Sequence, residues 1–191
     1  MLGCAVTDAD RCDIRASLDG DEAAYARLVE RYEAQIFAQM WRFTRDRRVL
    51  DELVQDVFVE VYLNLGKFRG DAPLLHWVRR IATRVGYRYW KHENRSRRRR
   101  EALVREGLAI ARISQHPTAS EVGEALFQML EHLAPKDRLV LTLYYFDDCD
   151  TKEIAERTGW TPALVRVRLH RACRRLRRLL IEAGYGRTGH G

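Results

Sequence analysis

The chain has 191 residues, of which 46% are hydrophobic and 32% are charged, and it carries a net charge of +7 with a pI near 9.5. This length allows one ordinary domain or two small ones, and the basic balance favours a polyanion such as nucleic acid as the partner over a basic protein that is merely soluble. The sequence contains no long apolar run, no phosphate loop, no catalytic cluster and no metal-ligand spacing. We therefore expect no membrane insertion, no enzyme activity, no metal and no cofactor.

Charge is distributed along the chain in four alternating blocks. Residues 1–72 carry a net charge of −4, residues 73–100 carry +9, residues 101–150 carry −5 and residues 151–191 carry +7. The two basic blocks predict two separate surfaces that face nucleic acid, and the two acidic blocks predict surfaces that face elsewhere.

The four cysteines, Cys4, Cys12, Cys149 and Cys173, are widely spaced and form no CxxC pair. Reduced thiols in a cytoplasmic protein are the expectation, and a Cys149–Cys173 disulfide is the alternative. Residues 1–18 match no pattern, so the sequence predicts no role for this N-terminal extension or for the two cysteines within it.

Helices are predicted along most of the chain, because apolar residues recur three and four positions apart and strand-like alternation is absent. Residues 19–22 open the first helix, and a second helix is predicted over about 49–65. The first helix has an apolar face formed by Tyr25, Leu28, Val29, Tyr32, Ile36 and Phe37. The core stripe of the second consists of Leu50, Leu53, Val54, Val57, Phe58, Val61 and Leu65.

The helix over 49–65 carries a second apolar set outside its core stripe. Val59, Tyr62 and Leu63 form this set, and they lie beside a few polar side chains. In so small a domain, a helix that is apolar on two faces is either buried on both sides or binds a partner. The pattern alone leaves both alternatives open.

A loop over 66–73 leads into a helix predicted over about 73–92. Asp71 is placed to cap this helix and Pro73 suits its first turn. The helix combines apolar residues, among them a partly buried Trp77, with a dense basic face. The basic and aromatic residues of that face are Arg79, Arg80, Arg84, Tyr87, Arg88, Tyr89, Trp90 and Lys91. Cations attract phosphate and aromatic rings stack on unpaired bases, so the pattern favours DNA binding over core aromatics beside solvated arginines.

Residues 94–119 are predicted to form a linker. The four consecutive arginines at 97–100 are too charged to pack, and Pro117 breaks any helix around it. A short helix within 101–113 is compatible with the sequence.

The C-terminal part resumes near Ser120 with an amphipathic helix, and Pro135 starts the next one. Asp150 caps a short helix that Gly159 ends, and Thr161 caps a long basic helix. This order is typical of a helix-turn-helix, whose second helix enters the major groove by its N-terminal end. The residues predicted nearest to base edges are Thr161, Pro162, Ala163, Arg166 and His170. Those predicted to contact phosphates are Arg168, Arg171, Arg174 and Arg175.

Two groups of motifs resemble a known family. Those that resemble the signature of sigma-70 family domain two are Asp51–Phe58 (DELVQDVF), Phe68–Pro73 (FRGDAP), Trp77 and Arg80–Ala82 (RIA). Those that resemble domain four are Leu133–Pro135, Glu153–Ala155 and Val165–Ala172 (VRVRLHRA). The resemblance covers about 20–93 and 120–180. No segment resembles the third domain that lies between them in larger members, which points to the compact extracytoplasmic-function group.

The resemblance implies an all-α fold of two small helical domains, a sigma domain two bundle and a sigma domain four helix-turn-helix, joined by a flexible linker. The implied organisation is an N-terminal extension at 1–18, domain two at 19–93, the linker at 94–119, domain four at 120–182 and a disordered tail at 183–191.

The resemblance also implies partners: the β′ clamp helices and β flap of core RNA polymerase, promoter DNA, and an anti-sigma factor that holds the protein inactive in the cytoplasm or at the inner membrane. The implied polymerase-binding residues are Leu53, Gln55, Asp56, Val59, Glu60, Tyr62 and Leu63. The implied contacts to the −10 element are Lys67, Phe68, Arg69, Asp71, His76, Trp77, Arg80, Thr83, Arg84, Tyr87, Arg88 and Lys91. The helix-turn-helix residues named above would read the −35 element.

The sequence departs from the family pattern in both DNA-facing helices. Thr83, Arg84 and Arg88 stand where members commonly have Arg, Asn and Asp, and Arg166–Val167 replaces a common Lys-Ser pair. The rival interpretation is a stand-alone helix-turn-helix regulator that binds duplex operator without polymerase. A nucleic-acid-processing enzyme is a further rival. The two-domain charge pattern and the two-faced helix argue against the first, and the missing catalytic cluster argues against the second.

Overall fold

The computed structural model describes residues 6–103 and 119–183. Within these two ranges every regular element is helical and no strand occurs, so the predicted all-α class is confirmed. The helices are α1 (Asp8–Leu18), α2 (Glu22–Met40), α3 (Arg47–Asn64), α4 (Leu74–Leu103), α5 (Ala119–Glu131), α6 (Pro135–Tyr145), α7 (Thr151–Thr158) and α8 (Pro162–Glu182), with a 3-10 turn at Leu65–Lys67. The chain divides into two compact units between Tyr89 and Trp90. None of the helices in the described ranges is both long and apolar enough to cross a bilayer.

α1 lies in the segment 1–18, for which the sequence predicts no role, and it packs against α2. Thr7 caps α1 by accepting a hydrogen bond of 3.1 Å from the amide of Asp10. Asp10 and Asp13 are buried against α2, where Arg31 donates to both carboxylates at 2.6 and 2.7 Å. A search for apolar periodicity misses this helix because the face that it buries is acidic.

The acidic cluster of α1 is held by further contacts from α2. Arg27 lies 2.8 Å from a carboxylate oxygen of Asp13, and the Tyr32 hydroxyl donates to Asp10 at 2.7 Å. The hydrogen bond from Arg31 holds the pKa of Asp13 below its ordinary value, against the desolvation that raises it. Burial raises the pKa of Tyr32, which therefore stays a neutral donor. Charge and hydrogen bonding thus tie α1 into the first unit.

The first unit has an apolar core to which α2, α3 and α4 contribute. The predicted start of α2 is confirmed, since the Asp21 side chain accepts from the amide of Ala24 at 3.1 Å. α3 starts two residues earlier than predicted, because Asp46 caps it by accepting from Arg48 at 2.9 Å. The largest fully buried side chains of this core are Ile36, Met40, Leu50, Val57, Leu65, Leu74, Val78 and Ile81.

α4 is longer than the sequence predicts. The sequence places its end near residue 92, but the helix continues through the arginines at 97–100 to Leu103. Charge alone does not stop a helix, because arginine has a high helix propensity and its long side chain reaches water. The predicted linker 94–119 therefore begins as helix. Its remainder, 104–118, lies outside the described residues.

In the second unit, Trp90 packs against Arg138 at the start of α6. The Arg138 guanidinium lies 4.1 Å from the centroid of the Trp90 ring and 4.7 Å from that of Phe127. A desolvated contact of this kind contributes about 2 kcal/mol. Trp90 is 3% exposed, so it belongs to the core, whereas the sequence groups it with the aromatic residues that would stack on bases.

Candidate nucleic-acid and partner interfaces

The second apolar set of α3 is open to solvent. Val59, Tyr62 and Leu63 are 51%, 50% and 71% exposed, so burial of α3 on both sides is excluded for the free chain and the partner alternative stands. These three side chains line a groove of about 790 Å³ between α2 and α3. The other residues that line the groove are Glu22, Tyr25, Val29, Glu33, Phe37, Arg47, Asp51, Val54, Gln55 and Phe58.

Tyr25 of α2 shapes the floor of this groove. Its hydroxyl donates a hydrogen bond of 2.5 Å to the carbonyl oxygen of Phe58, and its ring meets the Tyr62 ring edge-on at a centroid distance of 4.9 Å. Burial raises the pKa of Tyr25, so the hydroxyl stays protonated and keeps donating. Tyr62 is therefore held at the groove although half of its surface faces water.

The remaining residues predicted to bind polymerase fall into three groups. Gln55 and Asp56 are exposed on α3 and are available to a partner. Leu53 is 5% exposed on the core stripe, so its prediction as a contact residue is wrong. Glu60 is half-buried and accepts a hydrogen bond from Arg88 of α4, which ties α3 to α4.

Most residues predicted to contact the −10 element are fully or partly exposed to solvent on the loop and on α4. The exposed ones are Lys67, Arg69, Asp71, His76, Arg84, Arg88 and Lys91, and those of intermediate exposure are Phe68, Trp77, Arg80 and Tyr87. His76, Arg80, Arg84, Tyr87 and Lys91 follow one another at helical spacing and form a single basic and aromatic stripe. The rings of Phe68 and Trp77 pack at 5.5 Å, which fixes the loop against the start of α4.

Thr83 is the exception in this set. It is 1% exposed, its hydroxyl donates to the carbonyl of Arg79 at 2.9 Å, and it accepts from the Gln39 side chain at 3.1 Å. The prediction that Thr83 contacts DNA is therefore wrong. Its position on α4 faces α2, and the short hydroxyl accepts a hydrogen bond from the buried amide group of Gln39 there.

The helix-turn-helix forms as the sequence predicts. Asp150 accepts from the amides of Lys152 and Glu153 at 2.7 and 2.8 Å, while the Glu153 side chain accepts from the Asp150 amide at 3.0 Å, which completes a capping box. Gly159 ends α7 with a φ of 74°, in the left-handed region that favours glycine. Thr161 then caps α8 by accepting from the amide of Leu164 at 3.2 Å.

The outward face of α8 carries most of the predicted −35 contacts. Thr161, Pro162, Ala163, Arg166, His170, Arg171 and Arg174 are all exposed. The opposite seam is closed by Val165 and Ala172, which are fully buried. Val167 is 47% exposed near the middle of the outward face, and it is absent from the contact residues predicted from the sequence. The signal was its helical offset from the seam at Val165 and Ala172.

Two arginines predicted to contact phosphates pair with a buried carboxylate of α6. Arg168 and Arg175 lie 3.5 and 2.5 Å from the carboxylate oxygens of Asp137, which is buried on α6. Both positions flank the buried seam of α8, and the guanidinium of Arg168 also lies 5.4 Å from the Trp160 ring. Both guanidinium groups are paired with Asp137 in this arrangement, although the side chain of Arg175 remains 54% exposed, so phosphate contact by these two arginines stays a prediction.

None of the three cysteines that the structure describes is in a disulfide. Cys12 is exposed, Cys149 is buried and Cys173 is half-buried, so the Cys149–Cys173 disulfide is absent. The sulfur of Cys173 lies 3.6 Å from the Tyr145 hydroxyl, and this hydrogen bond raises the pKa of Tyr145. Cys4 lies outside the described residues. Over 6–103 and 119–183, no cluster of three or more acidic, histidine or cysteine side chains is placed to hold a metal.

The regular elements over 6–103 and 119–183 are all helices, and the capped helix-turn-helix with its basic second helix defines a DNA-binding protein of the helix-turn-helix class. The model for sigma-70 region 2 matches residues 28–96, and the model for sigma-70 region 4 matches residues 123–176, which together make up more than half of the chain. The chain belongs to the sigma-70 family, in its extracytoplasmic-function (ECF) group.

Curated relatives agree with this assignment. The ECF RNA polymerase sigma-E factor of Escherichia coli strain K12 is 28% identical over 162 residues, which cover 80% of this chain and 84% of the relative. The RNA polymerase sigma-H factor of Pseudomonas aeruginosa is 28% identical over 166 residues, with the same shares covered.

Two solved structures share the fold. CnrH in complex with the cytosolic domain of CnrY is 24% identical with a TM-score of 0.59, over 92% of this chain and 99% of that one. The sigma factor RpoE in complex with the anti-sigma factor NepR from Bartonella quintana is 17% identical with a TM-score of 0.57, over 82% and 96%.

Proposed function

We propose that this protein is a sigma factor that binds core RNA polymerase and directs promoter-specific initiation of transcription. The observation that carries the proposal is the open apolar groove between α2 and α3 in a chain that also has a helix-turn-helix. A stand-alone regulator needs the helix-turn-helix but has no use for a large apolar groove on a unit other than the one that carries its DNA-binding helix. This is why the rival interpretation is less favoured.

The groove suits a helical partner. A volume of about 790 Å³ with apolar walls and a charged rim of Glu33, Arg47 and Asp51 is the geometry in which an amphipathic helix lays its apolar face. In this proposal the β′ clamp helices of polymerase fill the groove, with Val59, Tyr62 and Leu63 as the buried anchors and Gln55 and Asp56 at the edge. The β flap would contact the second unit.

The stripe on α4 would bind the −10 element as it opens. Arg80, Arg84 and Lys91 supply phosphate attraction along the strand, and Tyr87 supplies a ring on which an unpaired base can stack. Arg84 replaces the asparagine common at this place in the family. We therefore expect this helix to depend more on backbone contacts and more on ionic strength than a helix with the usual residue.

The outward face of α8 would read the −35 element as duplex. Arg166 lies in the first turns of the helix, where a guanidinium can pair bidentately with guanine O6 and N7. Val167 offers an apolar contact for a thymine methyl group. Arg171 and Arg174 would hold the phosphate backbone and so position the helix without specifying sequence.

Regulation by an anti-sigma factor is part of the proposal. The two similar structures contain CnrH bound to the cytosolic domain of CnrY and the sigma factor RpoE bound to the anti-sigma factor NepR. An inhibitor helix that fills the α2–α3 groove would exclude polymerase from it, since both need the same apolar side chains. An inhibitor that is itself bound to the inner membrane would also hold this protein there. The proposed activity is one of binding, in the cytoplasm where polymerase works, and assigns no catalytic residue.

Run-off transcription tests the proposal. Purified core polymerase is incubated with genomic fragments, with and without the protein, and new transcripts are mapped. We expect discrete starts only when the protein is present. Leu63→Glu, which puts a charge into the groove, should abolish them, while Ile181→Glu, at an equally aliphatic exposed position (55%) on α8, should not. Operator-like DNA binding with no polymerase-dependent transcript would establish the stand-alone regulator instead.

A further inference from the structure

One buried carboxylate accounts for the position of two of the arginines on α8. Asp137 is 4% exposed, and its two oxygens receive Arg168 at 3.5 Å and Arg175 at 2.5 Å. The two arginines are seven residues apart, which is two helical turns, so their side chains reach α6 from the same side of α8. A single carboxylate thus pairs with two arginines from successive parts of the basic helix.

The pairing divides the arginines of α8 into two populations. Arg166, Arg171 and Arg174 are exposed on the outward face, away from Asp137. The side chain of Arg168 is only 26% exposed, whereas that of Arg175 is 54% exposed and close enough to solvent to reach a phosphate if it were released. The position of Arg175 is therefore decided by its partner on α6 and not by burial alone.

We propose that Asp137 is a specificity-determining positioning residue, which keeps Arg168 and Arg175 from the DNA backbone. The inference rests on the proposed reading of duplex DNA by α8. Each arginine that reaches a phosphate adds affinity for every sequence alike, because phosphates carry no sequence information. By holding two guanidinium groups, Asp137 limits this uniform affinity and leaves a larger share of binding to base contacts such as that of Arg166.

Asp137→Asn tests the proposal in the full-length protein, since it keeps the shape of the side chain and removes its charge. Binding to a short random-sequence duplex is measured over a salt series. Release of one or two arginines should steepen the slope of log K against log salt by about 0.9 for each additional phosphate that an arginine reaches. The affinity of the variant for random DNA, relative to that of the wild type, should therefore rise as salt is lowered. For two such phosphates this ratio should grow by up to about tenfold when salt falls from 200 to 50 mM. An unchanged slope in a variant that still melts cooperatively overturns the proposal.

A pair of double variants keeps the test independent of the folding of Asp137→Asn. The double variant Arg168→Gln, Arg175→Gln should retain the wild-type salt slope, because in this proposal the two guanidinium groups do not contact the DNA backbone. Arg171→Gln with Arg174→Gln removes the same charge and should lower the slope by about 0.9 for each phosphate that is no longer neutralised. Equal reductions of the slope in the two double variants overturn the proposal.

The same measurements separate failure of the proposal from failure of the proposed function. If the wild-type protein binds neither random duplex alone nor promoter DNA together with polymerase, the assignment of α8 as a DNA reader is overturned and the role of Asp137 goes with it. If the wild-type protein binds DNA in a salt-dependent way, but Asp137→Asn keeps the wild-type slope or the two double variants lower the slope equally, only the role of Asp137 is overturned.

Discussion

The aromatic ring of Phe43 occupies the space that a side chain at residue 86 would need. A Cβ atom built on Gly86 would lie 2.4 Å from the nearest ring carbon of Phe43, which is itself 2% exposed. Glycine in the middle of a long helix normally costs stability, because it loses more backbone entropy than alanine. Here it lets the backbone of α4 approach Phe43 in the turn that follows α2.

Gly86→Ala should therefore destabilise the protein. The gain in helix propensity is about 1 kcal/mol, but overpacking a buried ring costs about 1–3 kcal/mol, so we expect a net loss of up to about 2 kcal/mol. Denaturant unfolding followed by circular dichroism measures it. Gly123→Ala on α5 is the matched control, because nothing lies within 4 Å of its Cβ position, and it should stabilise slightly. Phe43→Leu should partly rescue Gly86→Ala, and failure to do so would show that another contact is responsible.

The α1 cluster predicts how stability depends on pH. The pKa of Asp13 is lowered in the folded protein, so the folded state holds fewer protons than the unfolded state between the two pKa values. The contribution of Asp13 is therefore complete above its unfolded pKa of about 3.9 and is lost as pH falls through the lower folded value. Asp13→Asn should flatten the fall in unfolding free energy across this acidic window.

Asp8→Asn on the same helix is the control for the pH experiment. The Asp8 side chain is fully exposed and lies 4.0 Å from Arg11, a surface contact that contributes little. Thermal melts at a series of acidic pH values should give the wild-type profile for Asp8→Asn. A flattened profile in both variants would mean that the general charge of α1, and not the Asp13 pairing, sets the dependence.

Most of the helices were predictable because their ends depend on local chemistry, whereas the contacts between the helices were not predictable from the sequence. Asp150, Gly159 and Thr161 act on backbone groups within four residues, so their spacing alone predicted the helix-turn-helix. The Asp137 pairs join residues more than thirty positions apart, and no local pattern indicates which arginines of a basic helix a distant carboxylate will hold. α1 was missed because its buried face is charged.

The candidate sites divide in the same way. The exposed apolar set of α3 was predictable because helical periodicity separates it from the core stripe. Periodicity placed Leu53 on the core stripe, as its burial confirms, and only the family resemblance made it a contact residue. Periodicity could not assign Thr83, since it lies on a face of α4 whose burial depends on a neighbouring helix. The family pattern favoured DNA contact at Thr83, but its hydroxyl is buried against α2, where it accepts a hydrogen bond from Gln39.

Thr83 and its neighbour on α4 should respond differently to mutation. Thr83→Val removes a buried hydroxyl that bonds Gln39, so it should lower the unfolding free energy by about 1–3 kcal/mol and leave DNA binding to the folded protein unchanged. Arg84→Ala, on the exposed stripe, should leave stability unchanged and lower the salt slope for single-stranded −10 DNA by about 0.7. Fluorescence anisotropy and thermal melting on both variants check this. A loss of DNA affinity in folded Thr83→Val would return that residue to the DNA-binding surface.

Arg166 and Arg174 should separate base reading from backbone positioning on α8. Arg166→Ala removes a guanidinium near the N-terminal end of the helix, so it should cost about 1–3 kcal/mol on the preferred −35 sequence and little on sequences changed at the base that it contacts. Arg174→Ala should weaken binding to all sequences alike and lower the salt slope by about 0.9, because phosphate contacts do not distinguish bases. Binding of holoenzyme to a panel of −35 sequences with single base changes measures both effects. Equal losses on every member of the panel for Arg166→Ala would show that this arginine also contacts the backbone.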